Sequence, residues 1–99
     1  MKAKVQSIHF DADSKLISFI QGKIEKLNHF HDQIIDSEVF LRLDKSSTHE
    51  NKIAEIRINI PGKTIFAKEQ SKSFEEAADT AVDALRRQIV KHREKEIGE

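Results

Sequence analysis

The sequence predicts an α+β fold: a two-layer sandwich in the order β-α-β-β-β-α, in which a four-stranded sheet carries two helices packed on one face. Three observations support this prediction. Four short stretches place apolar residues at every second position, two longer segments place them at three- and four-residue steps, and a Pro-Gly pair separates two of the alternating stretches. At 99 residues the chain fits one domain, 1–99, whose last residues, about 93–99, are expected to fray.

The first two elements are a strand and a helix. The strand covers residues 2–10, and its alternation breaks at Ser7. The helix covers residues 14–29, with Asp13 placed to act as its N-cap. Gly22 lies inside this helix and should weaken it by about 1 kcal/mol relative to alanine.

The next three elements are strands that expose one face and bury the other. The second strand covers residues 37–44, and a polar connection separates it from a hairpin formed by residues 53–60 and 63–69. The alternation turns Phe40 and Phe66 toward the face that the helices leave uncovered.

The last element is a long helix from Phe74 to about Lys95. Ser73 precedes it, and Glu76 follows three residues later, which is the pattern of a capping box. Several inward positions are alanines, so the helix should lie close to the sheet.

Composition excludes several classes of protein. Hydrophobic residues make up 37% and charged residues 34% of the chain, which is typical of a folded domain rather than a disordered tail. Apolar runs are too short for a membrane span, and no apolar segment opens the chain. The lack of cysteines excludes disulfides and thiolate ligands and fits a cytoplasmic location.

Motifs for catalysis are missing from the sequence. It has no glycine-rich phosphate loop, no nucleophile elbow and no HExxH pattern, so we expect no enzyme, no cofactor and no small-molecule substrate. His29, His31 and Asp32 could offer ligands to a metal, but they follow the first helix, where histidines commonly interact with the helix dipole. We therefore expect no metal site.

Charge is balanced overall, with 17 basic and 17 acidic residues, but it is segregated along the last helix. Residues 73–83 carry four acids, and residues 84–95 carry five bases with one acid. Arg87, Lys91 and Lys95 are four residues apart and form one stripe. Part of this pattern complements the helix dipole, and Asp83 can pair with Arg87, so a merely solvated helix is the alternative. The bases nevertheless cover about three turns, which indicates a surface for phosphates.

Three stretches resemble one known family. They are residues 83–95 (DALRRQIVKHREK), residues 23–32 (KIEKLNHFHD), and the passage from the IFA strand at 65–67 into SFEEAAD at 73–79. The chain is similar to the ribosome hibernation promoting factors, also called ribosome-associated translation inhibitors, and its end at Glu99 resembles a short form.

The resemblance implies a ribosome-binding domain that docks on the small ribosomal subunit, in the channel for messenger and transfer RNA. It implies translation inhibition and ribosome hibernation under stress or in stationary phase, with a factor that is monomeric when free and has no membrane partner. The positions implied to contact rRNA are Lys23, Lys26, Arg86, Arg87, Lys91, His92, Arg93 and Lys95.

Two other functions remain open from the residues alone. A domain that binds double-stranded RNA also places helices on one sheet face, although such domains begin with a helix. A protein-interaction module could use the uncovered sheet face, where Phe40 and Phe66 would form a small apolar patch.

Overall fold

The structure is a computed structural model that describes residues 3–8, 10–29, 34–46 and 49–97, without the side chains of 28, 29 and 93–97. Within these ranges the elements follow one another in the predicted order. The strands are β1 (Ala3–Ser7), β2 (Asp36–Leu43), β3 (Lys52–Ile60) and β4 (Lys63–Ser71). The helices are α1 (Ser14–Glu25), which a 3-10 turn (Lys26–His29) extends, and α2 (Phe74–Ile97). The predicted fold class is therefore confirmed.

The predicted first strand extends too far beyond Ser7, whereas the first helix covers the predicted residues 14–29 when its 3-10 turn is included. β1 ends at Ser7, where the alternation breaks, and the chain then turns so that the ring of Phe10 stacks on Phe74, with centroids 5.0 Å apart. The α-helical part of the first helix ends at Glu25, because its last turn tightens to 3-10 geometry, as often happens at helix ends. α2 continues through residues 93–97, where the sequence favours fraying.

The sheet is mixed and has the strand order β1-β2-β3-β4. β1 runs parallel to β2, with α1 in the connection between them, and the other neighbours are antiparallel. The register aligns Leu41 with Ala54 and Ile56 with Ala67, so residues of the same parity share one face across the sheet.

Both helices cover that apolar face and form one core with it. The fully buried members on the helices include Ile20, Ile24, Ala77, Ala78, Ala81, Leu85 and Ile89. The three alanines have no exposed surface, as expected where a helix approaches a sheet closely. Because α2 is held by these residues, its outward side chains sit on a rigid support.

Each helix begins with a cap. Asp13 Oδ1 accepts a hydrogen bond from the backbone N–H of Leu16 at 2.8 Å, as the sequence predicts. Ser73 Oγ accepts one from the backbone N–H of Glu76 at 3.1 Å. The other half of the predicted capping box is wrong, because the carboxylate of Glu76 instead accepts a hydrogen bond from the hydroxyl of Ser71, at 2.7 Å.

The second face of the sheet, which we call the outer sheet face, has no helix over it in the described part of the chain. Strict alternation predicts that Glu55 is exposed on this face, and that expectation is wrong: the residue is only 8% exposed. Phe40 and Lys68 stand beside it in the register, and its carboxylate forms an ion pair with Arg42. Cross-strand neighbours therefore bury a residue that alternation alone would leave in water.

A side chain from each helix donates a hydrogen bond to a backbone carbonyl of one of the two edge strands. The amide of Gln21 on α1 donates a hydrogen bond to the carbonyl of Ala3 on β1 at 3.1 Å. The amide of Gln88 on α2 likewise donates to the carbonyl of Phe66 on β4 at 3.0 Å. Occupied edge carbonyls make each edge less able to pair with another strand.

Candidate nucleic-acid interface

A groove between α1 and α2 brings basic residues from both helices together. It is lined by Lys23, Lys26, Leu27, Asp79, Val82, Asp83 and Arg86. Lys23 Nζ lies 3.0 Å from Asp79 Oδ1, so it links the two helices, and it also lies 5.5 Å from the centre of the Phe19 ring. Two carboxylates thus share the groove with three cations, which leaves it positive.

Asp83 is the acid that most affects the positive charge of α2. It accepts hydrogen bonds from Arg86 Nη2 at 2.8 Å and from Arg87 Nη1 at 2.6 Å, which includes the pair predicted from the four-residue spacing. The hydrogen bond from Arg86, aided by the charges of both arginines, lowers the pKa of Asp83 below its ordinary value. One carboxylate cannot neutralise two guanidinium groups, and the arginine side chains remain 46% and 66% exposed.

Two shallow depressions continue this positive surface along α2. The first is lined by Arg86, Arg87, Val90 and Lys91. The second is lined by Lys63, Gln88, Lys91 and His92. Because Arg86 belongs to both the groove and the first depression, and Lys91 to both depressions, the three form one continuous surface. We call it the basic band, and its members are Lys23, Lys26, Lys63, Arg86, Arg87, Lys91 and His92.

Lys63 is a member of the basic band that the sequence analysis missed. It is the first residue of β4 and follows Gly62, whose φ of +77° closes the hairpin turn. The hairpin and the packing of α2 over β4 bring Lys63 beside Lys91. No local pattern signals this proximity, because the two residues are 28 positions apart in the chain.

Six of the eight residues predicted from the resemblance lie in the basic band. They are Lys23, Lys26, Arg86, Arg87, Lys91 and His92. Arg93 and Lys95 belong to α2, but their side chains lie outside the described part of the chain. Buried positions on the described part of α2 end at Ile89. The helix then continues for residues 90–97, about 12 Å at 1.5 Å per residue.

The described residues do not assemble a metal site. Among them, no group of three or more His, Asp or Glu side chains is placed to hold a metal ion. The candidate ligands His31, Asp32 and the side chain of His29 lie outside the described residues. Within the same ranges, no helix is long and apolar enough to cross a membrane.

Together, the two-layer fold and the basic band define a small α+β binding domain with a cationic helix surface. The chain belongs to the family described as "Sigma 54 modulation protein / S30EA ribosomal protein", which matches residues 3–97. The resemblance noted in the sequence is therefore confirmed.

Individual relatives agree with this assignment. The chain is 27% identical over 97 residues to a ribosome hibernation promoting factor of Azotobacter vinelandii, covering 98% of this chain and 87% of that protein. It is 32% identical over 74 residues to a ribosome hibernation promotion factor of Deinococcus radiodurans, covering 74% of this chain and 39% of the longer relative. A ribosomal subunit interface protein from Coxiella burnetii shares the fold, with a TM-score of 0.83, 20% identity, and coverage of 94% of this chain and 98% of that one. The N-terminal domain of Thermus thermophilus Protein Y also shares it, with a TM-score of 0.81, 22% identity, and coverage of 93% of this chain and 99% of that one.

Proposed function

We propose that this chain is a ribosome-associated translation inhibitor. It binds rRNA of the small ribosomal subunit in the mRNA/tRNA channel through the basic band, and it promotes ribosome hibernation under stress or in stationary phase. Membership of the family and the names of the relatives support the ribosomal role. The proposal places the protein in the cytoplasm, as a monomer when free, acting without a cofactor or a catalysed reaction.

The observation that carries this proposal is the continuity of the basic band. Six lysines and arginines line it, against two carboxylates, Asp79 and Asp83. Lys26 and Lys91 are exposed and form no ion pair with any described residue. Cations spread over a surface of this kind neutralise RNA phosphates without reading a base sequence.

The packing of α2 against the sheet also supports this proposal. Leu85 and Ile89 are fully buried, and they hold α2 against the sheet on the side opposite the band. The backbone that carries the cations of α2 is therefore fixed before binding, which lowers the ordering cost of association. The body measures 47 × 23 × 18 Å, an elongated shape suited to occupying a channel. Inhibition by occupancy needs no chemical step.

The test reverses the charge of two band residues and of Arg93, which follows them on α2. A variant with Arg87→Glu, Lys91→Glu and Arg93→Glu should lose co-sedimentation with small subunits, while its thermal unfolding stays nearly unchanged. A matched control carries Lys15→Glu, Lys45→Glu and Lys72→Glu, which make the same change in net charge at exposed positions outside the band. The control should still co-sediment. Retained binding by the folded band variant, or equal loss in the control, would contradict the proposal.

Salt and competitor RNA give two further readouts on the same samples. Binding through phosphates should weaken steeply as salt rises, because each contact releases counterions. An excess of bare duplex RNA should not displace the protein from small subunits. Displacement would favour a domain for double-stranded RNA, a class that β1, lying before α1, argues against.

A further inference from the structure

Three neighbouring side chains on the outer sheet face form a group that lies outside the basic band. The guanidinium of Arg57 on β3 lies between two rings, 5.9 Å from the centre of Phe40 on β2 and 6.0 Å from the centre of Phe66 on β4. Phe66 is directly opposite Arg57 in the register, and Phe40 lies diagonally on the other side. The three groups form a platform that spans three adjacent strands.

This platform is open to solvent. Phe66 is 44% exposed and Arg57 is exposed as well. Glu38 stands opposite Arg57 in the register, yet no described carboxylate forms an ion pair with this guanidinium. The rings hold Arg57 in place through cation–π contacts, and its charge remains available to a ligand.

The charges around the platform favour an anion at its centre. Lys4 and Lys68 are exposed on the same face, and Glu55 is engaged by Arg42. Asp36, which accepts a hydrogen bond from Asn59, and Asp44, which accepts one from Gln70 at 2.8 Å, lie at the ends of β2. Beside the rings, Lys4, Arg57 and Lys68 therefore outnumber the one acid outside an ion pair, Glu38.

The exposed apolar area is small. Two rings among polar side chains fall short of the apolar core of a stable protein interface, which buries roughly 800 Å² per partner. Flat rings and an available guanidinium instead match the surfaces on which unpaired nucleobases stack, with cations nearby for the phosphates.

We propose that the outer sheet face binds single-stranded RNA, with bases stacking on the Phe40–Arg57–Phe66 platform and phosphates meeting Lys4 and Lys68. This site goes beyond the proposed ribosomal docking and lies on the opposite side of the sheet from α1 and α2. Because free RNA is its ligand, it can be tested apart from the ribosome.

The experiment measures fluorescence anisotropy of a labelled ten-nucleotide oligouridylate titrated with the full chain. Phe66→Ala should weaken binding by about 5- to 150-fold, the loss measured when a stacking aromatic is truncated. Leu43→Ala is the matched control, because Leu43 is equally exposed, at 44%, but lies outside the platform. It should leave the affinity unchanged, and thermal unfolding should show that both variants are folded.

A second pair of measurements locates the bound RNA. Amide shifts on adding the oligouridylate should cluster around residues 40, 57 and 66, and Arg57→Gln should weaken binding and reduce its dependence on salt. Arg87→Gln with Lys91→Gln removes two cations of the basic band, so it should reduce binding to small subunits strongly and lower the affinity for the oligouridylate much less than Phe66→Ala does, which separates this site from the proposed function.

Four outcomes would overturn the proposal. They are no binding of the oligouridylate at millimolar protein, affinity unchanged by Phe66→Ala, amide shifts confined to α2, and self-association that depends on Phe66. The last result would identify the face as a contact between copies of the chain.

Discussion

Gly22 and Gly62 offer a sharp test of how backbone conformation sets stability. Gly22 lies in the interior of α1, and a Cβ placed there meets no heavy atom within 4 Å outside its own helix. Gly22→Ala therefore adds a methyl group without a clash and removes the entropy that glycine loses in a helix. The expected gain in the free energy of unfolding is about 0.4–1 kcal/mol. For a domain of this size, that corresponds to a rise in Tm of roughly 2–8 °C.

Gly62→Ala is the control, because it makes the same chemical change in equally open space. Gly62 has a φ of +77°, a left-handed conformation that costs an alanine about 1–2 kcal/mol. The same substitution should therefore lower the Tm at this position and raise it at Gly22. Thermal and urea unfolding, followed by circular dichroism, measure both changes. Shifts of the same sign in the two variants would refute the conformational argument.

Two further predictions concern carboxylates. Asp83→Asn removes the shared acceptor of Arg86 and Arg87, so binding to small subunits should become tighter and more dependent on salt. Co-sedimentation across a salt series measures this change. Weaker binding would contradict the prediction and show that Asp83 instead orients the arginines. The hydroxyl of Ser46, followed by the amide of Gln70, lowers the pKa of Asp44 below 3.8, so its stabilising effect is present above that value and is lost as the pH falls through the lower, folded-state pKa. Asp44→Asn should flatten the fall in Tm below pH 3.8, and a fall as steep as that of the unsubstituted chain would contradict this reasoning.

Much of the fold could be predicted because strands and helices produce hydrophobic patterns over a few consecutive residues. Alternation marked β2, β3 and β4, and the three- and four-residue steps marked both helices. The N-cap at Asp13 was also predictable, since a cap depends on residues within one turn. The end of β1 at Ser7 coincides with the break in alternation, whereas the stacking of Phe10 on Phe74 that follows it depends on tertiary packing.

Some neighbours in the candidate site could likewise be predicted from local spacing, and others could not. The cations of α2 repeat at helical spacing, so the sequence alone placed Arg87 and Lys91 on one stripe. Lys63 beside Lys91, and Arg57 between two rings, depend on residues from separate elements. Such neighbours carry no signal at any fixed spacing along the chain.

The amino-acid sequence by itself determined the elements, their buried faces and the charge gradient of α2, because each depends on residues a few positions apart. The tertiary structure alone decided that Glu55 is buried beside Phe40, that Lys23 reaches Asp79, and that the basic band and the aromatic platform lie on opposite sides of the sheet. These features depend on strand register and on helix-to-sheet packing, which the whole core sets at once through contacts between distant residues.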